Sequence, residues 1–364
     1  MADTDHGITA DAVRQALSDI ALPENGTLAG SSRLTGITVE PGGRISFAIT
    51  IAPEEAETFA TIRSAAETAI RSLAGATQVL VVLTAERDAA ATAPRPAPKP
   101  EPKAAGKAPL LPDVAHVVAV ASGKGGVGKS TTAINIALGL RALGLKVGIL
   151  DADIYGPSLP TLLGLRGSPQ VGPDRRLKPL QAHGLAAMSI GFLVDEETAM
   201  VWRGPMVMSA ITQMLAEVDW GTLDVLMVDM PPGTGDAQLA IAQGVPLAGA
   251  VIVSTPQDLA LIDARRGIAM FRKVDVPIIG LIENMAHFVC PDCGAGHDIF
   301  GSGGTAAAAG RLGVPFLGAI PLTIELRTAS DLGRPITALS PDSELGLKYQ
   351  ELATSVLRHL EGRT

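Results

Sequence analysis

The sequence predicts an α/β fold: a doubly wound, mainly parallel sheet carrying a glycine-rich loop, preceded by a small α+β domain. From residue 113 onward, apolar runs of strand type alternate with helical segments, the pattern of a parallel sheet covered on both faces. A glycine-rich loop, Gly123-Lys124-Gly125-Gly126-Val127-Gly128-Lys129-Ser130, joins the first of those runs to a helix. Residues 89–112 are rich in Pro, Ala and Lys with alternating prolines, a composition that builds no core and favours an extended spacer. The expected organisation is a small domain over 1–88, a linker over 89–112 and a large domain over 113–364.

The small domain reads helix, strand, strand, helix, strand. Val13, Leu17 and Ile20 recur at helical spacing and predict a helix over 10–20. Strands over 34–40 and 44–51 flank a Pro41-Gly42-Gly43 turn. A helix over 53–73 then leads to a strand over 79–84. The segment holds no catalytic constellation, so its expected role is contact with a partner or a substrate protein.

In the large domain, strands are expected over 117–121, 147–150, 185–190, 225–228, 250–253, 278–282 and 316–319, with helices over 131–143, 206–217, 259–273 and 344–360. The last helix offers Leu345, Leu352, Val356 and Leu360 for packing; its basic residues are Lys348 and Arg358, a poor match to a membrane-surface helix.

Composition narrows the function. The 364 residues are 47% hydrophobic but only 3% aromatic, so cores must come from Ala, Val, Leu and Ile, and base-stacking platforms are not expected. A net charge of −8 gives no footprint for nucleic acid or an anionic membrane. The first residues lack the basic and apolar regions of a signal peptide, and no apolar run is long enough to span a bilayer. A cytoplasmic protein is expected. The two cysteines, Cys290 and Cys293, are too few for a disulfide framework.

The glycine-rich loop fits G-x-x-x-x-G-K-[ST] in the strand–loop–helix setting that the pattern needs. Its glycines let backbone N–H groups converge on phosphate oxygens, and the helix N-terminus adds a positive dipole end. ATP or GTP is therefore expected across Gly123 to Thr131, with Lys129 meeting the β- and γ-phosphates and the Ser130 hydroxyl holding Mg²⁺. The next strand ends in Asp151-Ala152-Asp153. Asp153 would orient an attacking water and Asp151 would hold a water of the magnesium shell. Leu226-Met227-Val228-Asp229 supplies a further strand-end carboxylate for the ion, and Pro231-Pro232-Gly233-Thr234-Gly235-Asp236 forms a loop suited to sensing the γ-phosphate. Asn284, after the strand over 278–282, has an amide able to pair with adenine N6 and N7.

Read from Lys124, the loop K-G-G-V-G-K-S resembles the deviant P-loop of the ATPases that include septum-site, plasmid-partition, arsenite-pump and nitrogenase-iron proteins. That resemblance implies a nucleotide-sandwich dimer in which Lys124 reaches the partner's phosphates, as an arginine finger does.

Cys290-Pro291-Asp292-Cys293 admits three chemistries. A redox dithiol would need a different βαβ setting. A zinc site would draw on His287 and His297, at a spacing shorter than a familiar zinc finger. The third is a 4Fe–4S cluster, which wants four thiolates where one chain offers two; a two-fold axis beside the loop would supply the rest from a second copy. Such a shared, exposed cluster suits a carrier. Trp202-Arg203-Gly204-Pro205-Met206, Asp229 to Asp236, Glu283-Asn284-Met285 and Ile299-Phe300-Gly301 resemble the Mrp/ApbC-type iron–sulfur cluster carriers across 113–364. The N-terminal domain is similar to the small iron–sulfur assembly domain often fused to bacterial members. Relatives of that domain often carry a Cys before the helix-starting proline, whereas here Ala52 precedes Pro53.

The resemblance implies a homodimeric, slowly hydrolysing ATPase that passes a 4Fe–4S cluster to apo-proteins. The competing readings are a spatial-organisation ATPase for a membrane or chromosome and a zinc-stabilised nucleotide-binding regulator.

Overall fold

The computed structural model describes residues 8–23, 26–40, 42–52, 55–85, 110–194 and 204–362. They divide into two compact units. Described residues up to 85, with 204–210, form one, and 110–194 with 211–362 form the other.

In the first unit, α1 (Ala10–Ala16), β1 (Leu34–Glu40), β2 (Arg44–Ile51), α2 (Ala56–Arg71) and β3 (Gln78–Ala85) follow the expected order. The Thr9 hydroxyl caps α1 by accepting from the Ala12 N–H. The helix stops at Ala16, short of the expected end, because Leu17 already acts as its C-cap. β1 and β2 pair antiparallel, and α2 serves as the crossover that sets β3 parallel to β2. Val13, Leu17, Ile45, Phe47, Ile49, Phe59 and Ile70 form its core. Arg33 pairs with Glu55 at 2.8 Å and lies over the Phe59 ring. The Ala52 N–H donates to the same Glu55 carboxylate at 2.8 Å.

The second unit runs β4 (Val114–Ala121), α3 (Lys129–Ala142), β5 (Val147–Asp151), α4 (Leu159–Leu162), β6 (Leu180–Ala182), β7 (Leu185–Ser189), α5 (Gly204–Glu217), β8 (Leu223–Asp229), α6 (Asp236–Gly244), β9 (Leu247–Ser254), α7 (Asp258–Lys273), β10 (Ile278–Val289), β11 (Gly296–His297), α8 (Gly304–Leu312), β12 (Phe316–Leu322), α9 (Ile324–Asp331), α10 (Ile336–Leu339) and α11 (Glu344–Glu361). The division between units falls within α5.

Strand order is β6-β7-β5-β8-β4-β9-β10, with β12 on the outer side of β10 and β11 folded back on its end. All neighbours pair parallel except β6 on β7 and β11 on β10. The chain leaves β4 for β5 on one side and reaches β9 on the other. The carboxyl end of β4 is therefore a switch point of the topology, where sheets of this kind bind ligands.

Helix α3 is buried on all sides from Thr132 to Leu140, which explains why it shows no amphipathic stripe. It lies between the sheet and α11, whose Leu345, Tyr349, Leu352, Val356 and Leu360 belong to the same core. That packing uses the apolar face a membrane-surface helix would need. No helix among the described residues is long and apolar enough to cross a membrane.

Candidate functional site

Three strand ends build the site. The chain leaves β4 at Ala121, passes through Ser122 and the glycine-rich loop, and enters α3 at Lys129. Gly128 is the N-cap at φ +78, where a side chain is disfavoured, and a Cβ there would run into the Asn284 amide. Around Gly125 and Gly126 the opposite holds: a Cβ at either would meet nothing within 4 Å. This is an open cradle beside a helix N-terminus, and it fits a phosphate chain.

Lys129 points into the sheet. Its ammonium lies 2.6 Å from Asp229 Oδ1 and 3.3 Å from the Ser130 hydroxyl, with side chains 6% and 0% exposed for Lys129 and Asp229. Asp229 Oδ2 is buried without a hydrogen-bond partner. A buried carboxylate oxygen is rarely left unpaired, so this atom awaits a cation or a donor. With the Ser130 hydroxyl nearby, the donors are all oxygen, the set that Mg²⁺ takes.

Asp151 is the cross-strand neighbour of Asp229 in the β5–β8 ladder. Its Oδ1 accepts from the Asp153 N–H, and its Oδ2 from the Ser158 and Leu159 N–H groups and the Ser189 hydroxyl. Asp151 thus ties down the turn after β5 while keeping its carboxyl beside the ion pair. Burial and the Asp229 charge push its pKa up to about 7, against the lowering effects of the Leu159 N–H and Lys129. Asp153 is also raised, first by burial and then by Asp229, with Lys129 opposing.

A pH dependence follows. The Asp151 carboxyl, normally at 3.8, holds its proton in the folded state up to about pH 7. Between those values the folded chain binds more protons than the unfolded one, so this group's contribution to stability falls as pH rises. Carboxyl carbon NMR of the nucleotide-free protein should show Asp151 titrating near neutrality. A midpoint beside those of ordinary surface carboxylates would contradict the burial argument.

Lys124 donates to Gln257 Oε1 at 3.1 Å, within its own chain and just ahead of α7. Asn284 is buried, and its amide donates to the Val127 carbonyl at 2.8 Å. The expected adenine contact and the phosphate loop therefore meet at one side chain. β10 does not stop at residue 282. It continues through Met285, at φ +55, to Val289, with an irregular register against β12 between Asn284 and Phe288.

That extension carries the cysteines. β10 and β11 form a short antiparallel hairpin pairing Phe288 with His297 and Val289 with Gly296. In its turn the Cys290 N–H donates to the Ala295 carbonyl and the Gly294 N–H to the Cys290 carbonyl, each at 2.9 Å. Cys290 is half-buried and Cys293 exposed; both are free thiols. N–H groups of Cys293 and then Asp292 face the Cys290 sulfur and hold its thiol below the ordinary value. His297 is exposed on β11 and His287 half-buried on β10. Among the described residues no group of three or more His, Cys, Asp or Glu is placed to hold a metal ion, so the zinc set with His287 and His297 is not assembled in one chain.

Sequence reasoning missed four supporting residues. Gln257 holds Lys124, Ser189 and Ser158 hold Asp151, and Gln238 braces the loop after β8. Ser189 alone had a usable signal, since it ends the strand paired with β5 and faces Asp151 in register. The Trp202-Arg203 segment of the carrier resemblance lies outside the described residues.

A parallel sheet with this loop at its switch point, and a buried Lys–Asp pair at the next strand end, defines a P-loop nucleoside-triphosphate-binding protein. A family model described as NUBPL iron-transfer P-loop NTPase matches residues 113–357, and one described as iron-sulfur cluster assembly protein matches 10–81. The chain belongs to the NUBPL-type iron-transfer P-loop NTPase family. It is 52% identical over 250 residues to the iron-sulfur cluster transfer protein NUBPL of Mus musculus, covering 68% of this chain and 78% of that one. It is 51% identical over 260 residues to the iron-sulfur cluster carrier protein of Pseudomonas fragi, covering 71% and 91%. A solved nucleotide-binding protein of Archaeoglobus fulgidus, in complex with ADP, superposes with a TM-score of 0.56 at 41% identity over 62% of this chain and 89% of that one. The cell division ATPase MinD of Pyrococcus furiosus, at 20% identity and a TM-score of 0.52, shares the fold.

Proposed function

We propose that this chain is an ATP-hydrolysing carrier that holds a 4Fe–4S cluster between two copies of itself and passes it to apo iron–sulfur proteins in the cytoplasm. The observation that carries the reading is the hairpin at the end of β10. It presents two thiols at the sheet edge, and no third metal-binding side chain among the described residues joins them. A cubane cluster takes four thiolates, so the second pair comes from a second copy. The names of the relatives at about 50% identity support the cargo.

Within one subunit, Gly123 to Thr131 embrace the phosphates and Lys129 meets them in cis. Ser130 and Asp229 hold Mg²⁺, with Asp151 behind them ordering the ion's water shell. When bound, the ion neutralises phosphate charge and polarises the reacting oxygens. Asp153 positions water, and Asn284 serves the adenine edge as well as the loop. Lys124 reaches the partner's nucleotide once released from Gln257. The dimer that aligns two loops also aligns two cysteine hairpins, so nucleotide state and cluster retention share one interface. The domain over 1–88, on its linker over 89–112, recognises the acceptor or the cluster donor.

Transfer tests the reading. The anaerobically loaded protein, mixed with an apo-ferredoxin whose holo form has a distinct circular dichroism spectrum, should convert the acceptor while losing its own absorbance. A loaded protein that keeps its cluster against every such acceptor, with and without ATP, is no carrier.

A further inference from the structure

Gln238, in the first turn of α6, is 1% exposed and does more than brace the loop after β8. Its Nε2 donates to the Pro231 carbonyl at 2.6 Å and to the Ser122 carbonyl at 3.4 Å. Both neighbours are acceptors, so the amide orientation is fixed by chemistry. Oε1, on the other side, is buried with no partner. Leaving a buried amide oxygen unpaired is costly, and the structure tolerates it where the donor half of the same amide is needed.

The two carbonyls belong to different loops. Pro231 opens the loop that follows Asp229, and Ser122 is the last residue before the glycine-rich loop. Ser122 is also a junction: its carbonyl accepts from the Gly233 N–H at 3.1 Å, and its hydroxyl donates to the Lys124 carbonyl at 2.9 Å. Two of these bonds, from the Gly233 N–H and from the Gln238 amide, hold the 231–235 loop against the start of the phosphate loop, and the side chain of Gln238 grips both segments. Backbone pairing between β4 and β8 ends just before this point, with the Met230 N–H on the Val120 carbonyl at 3.0 Å. Beyond it the two loops have no ladder to keep them in register.

We propose that Gln238 is a positioning residue for ATP hydrolysis, fixing the Pro231–Gly235 loop at the distance from the phosphate loop that the reacting γ-phosphate requires. The inference rests on the hydrolysis reading above. The phosphate loop keeps its own glycines and Lys129 without Gln238, so ground-state binding of nucleotide does not depend on it. Reaction geometry does, because misplacing a reacting group by about 1 Å costs as much as 100-fold in rate.

Two variants test it in the full-length protein: Gln238→Met keeps the length without the donor, and Gln238→Glu turns an acceptor toward both carbonyls. Both should lower kcat for ATP by about 10- to 100-fold, with KM and the affinity for a fluorescent ATP analogue within about twofold of wild type. A purely structural brace would lower the melting temperature and leave kcat of the folded protein unchanged. Wild-type kcat in either folded variant overturns the inference, as does a loss confined to KM. Should one variant fail to fold, the other decides. A wild-type protein that binds but never hydrolyses ATP would instead overturn the hydrolysis reading.

Discussion

Replacing Cys290 or Cys293 with alanine is expected to abolish cluster loading while leaving nucleotide binding intact. The turn that carries them is held by main-chain bonds, from the Cys290 N–H to the Ala295 carbonyl and from the Gly294 N–H to the Cys290 carbonyl. Neither needs a sulfur atom, so alanine preserves the hairpin and removes only the ligand. A dimer of either variant offers two thiolates where a cubane takes four. Iron after anaerobic reconstitution should fall from about two per chain to background, and the broad thiolate-to-iron absorbance should vanish. ATP affinity should not move, because the loop that binds it is built from β4 and α3. Undiminished iron in either variant would refute the ligand assignment.

Replacing Lys129 with alanine is expected to remove ATP hydrolysis while cluster binding persists. The ammonium stands at the base of the phosphate loop, and it is also the partner of Asp229 at 2.6 Å. Its loss withdraws charge stabilisation from the phosphoryl group, an effect of about 100- to 1,000-fold in rate for a single well-placed donor. It also leaves a buried carboxylate without its cation, and breaking a buried pair costs about 3–5 kcal/mol. Stability of the nucleotide-free variant should therefore drop together with activity. Steady-state hydrolysis and denaturant unfolding check the two effects separately; normal turnover by this variant would displace the active-site assignment.

Much of the site was legible because its residues sit where strand ends must put them. Asp151 and Asp229 close adjacent parallel strands, so a sequence reading that finds the strands finds the carboxylates side by side. The loop over 123–130 is fixed by spacing alone. What stayed hidden came from irregular backbone and from long-range partners. Glu283 and Asn284 looked like a polar strand end, yet β10 passes through both because each is satisfied: Glu283 accepts from the Thr305 N–H and Asn284 donates to Val127. Helix α8 was missed because a run of alanines between glycines has no apolar stripe to announce it. α10 is likewise held from outside, the Asn135 side chain of α3 accepting from the Thr337 N–H and hydroxyl. The second function of Asp151, tying down its own turn, depends on donors at Ser158 and Leu159 that no local pattern connects to it; Ser189 is connected only through the pairing of β5 with β7.

The most direct test of the shared-cluster account is the mass and metal content of the loaded species. After anaerobic reconstitution with iron and sulfide, size-exclusion chromatography with light scattering should show a dimer carrying about four iron and four sulfide per pair of chains. A single chain retaining a complete 4Fe–4S core would contradict the account, as would a protein that takes up zinc and no iron.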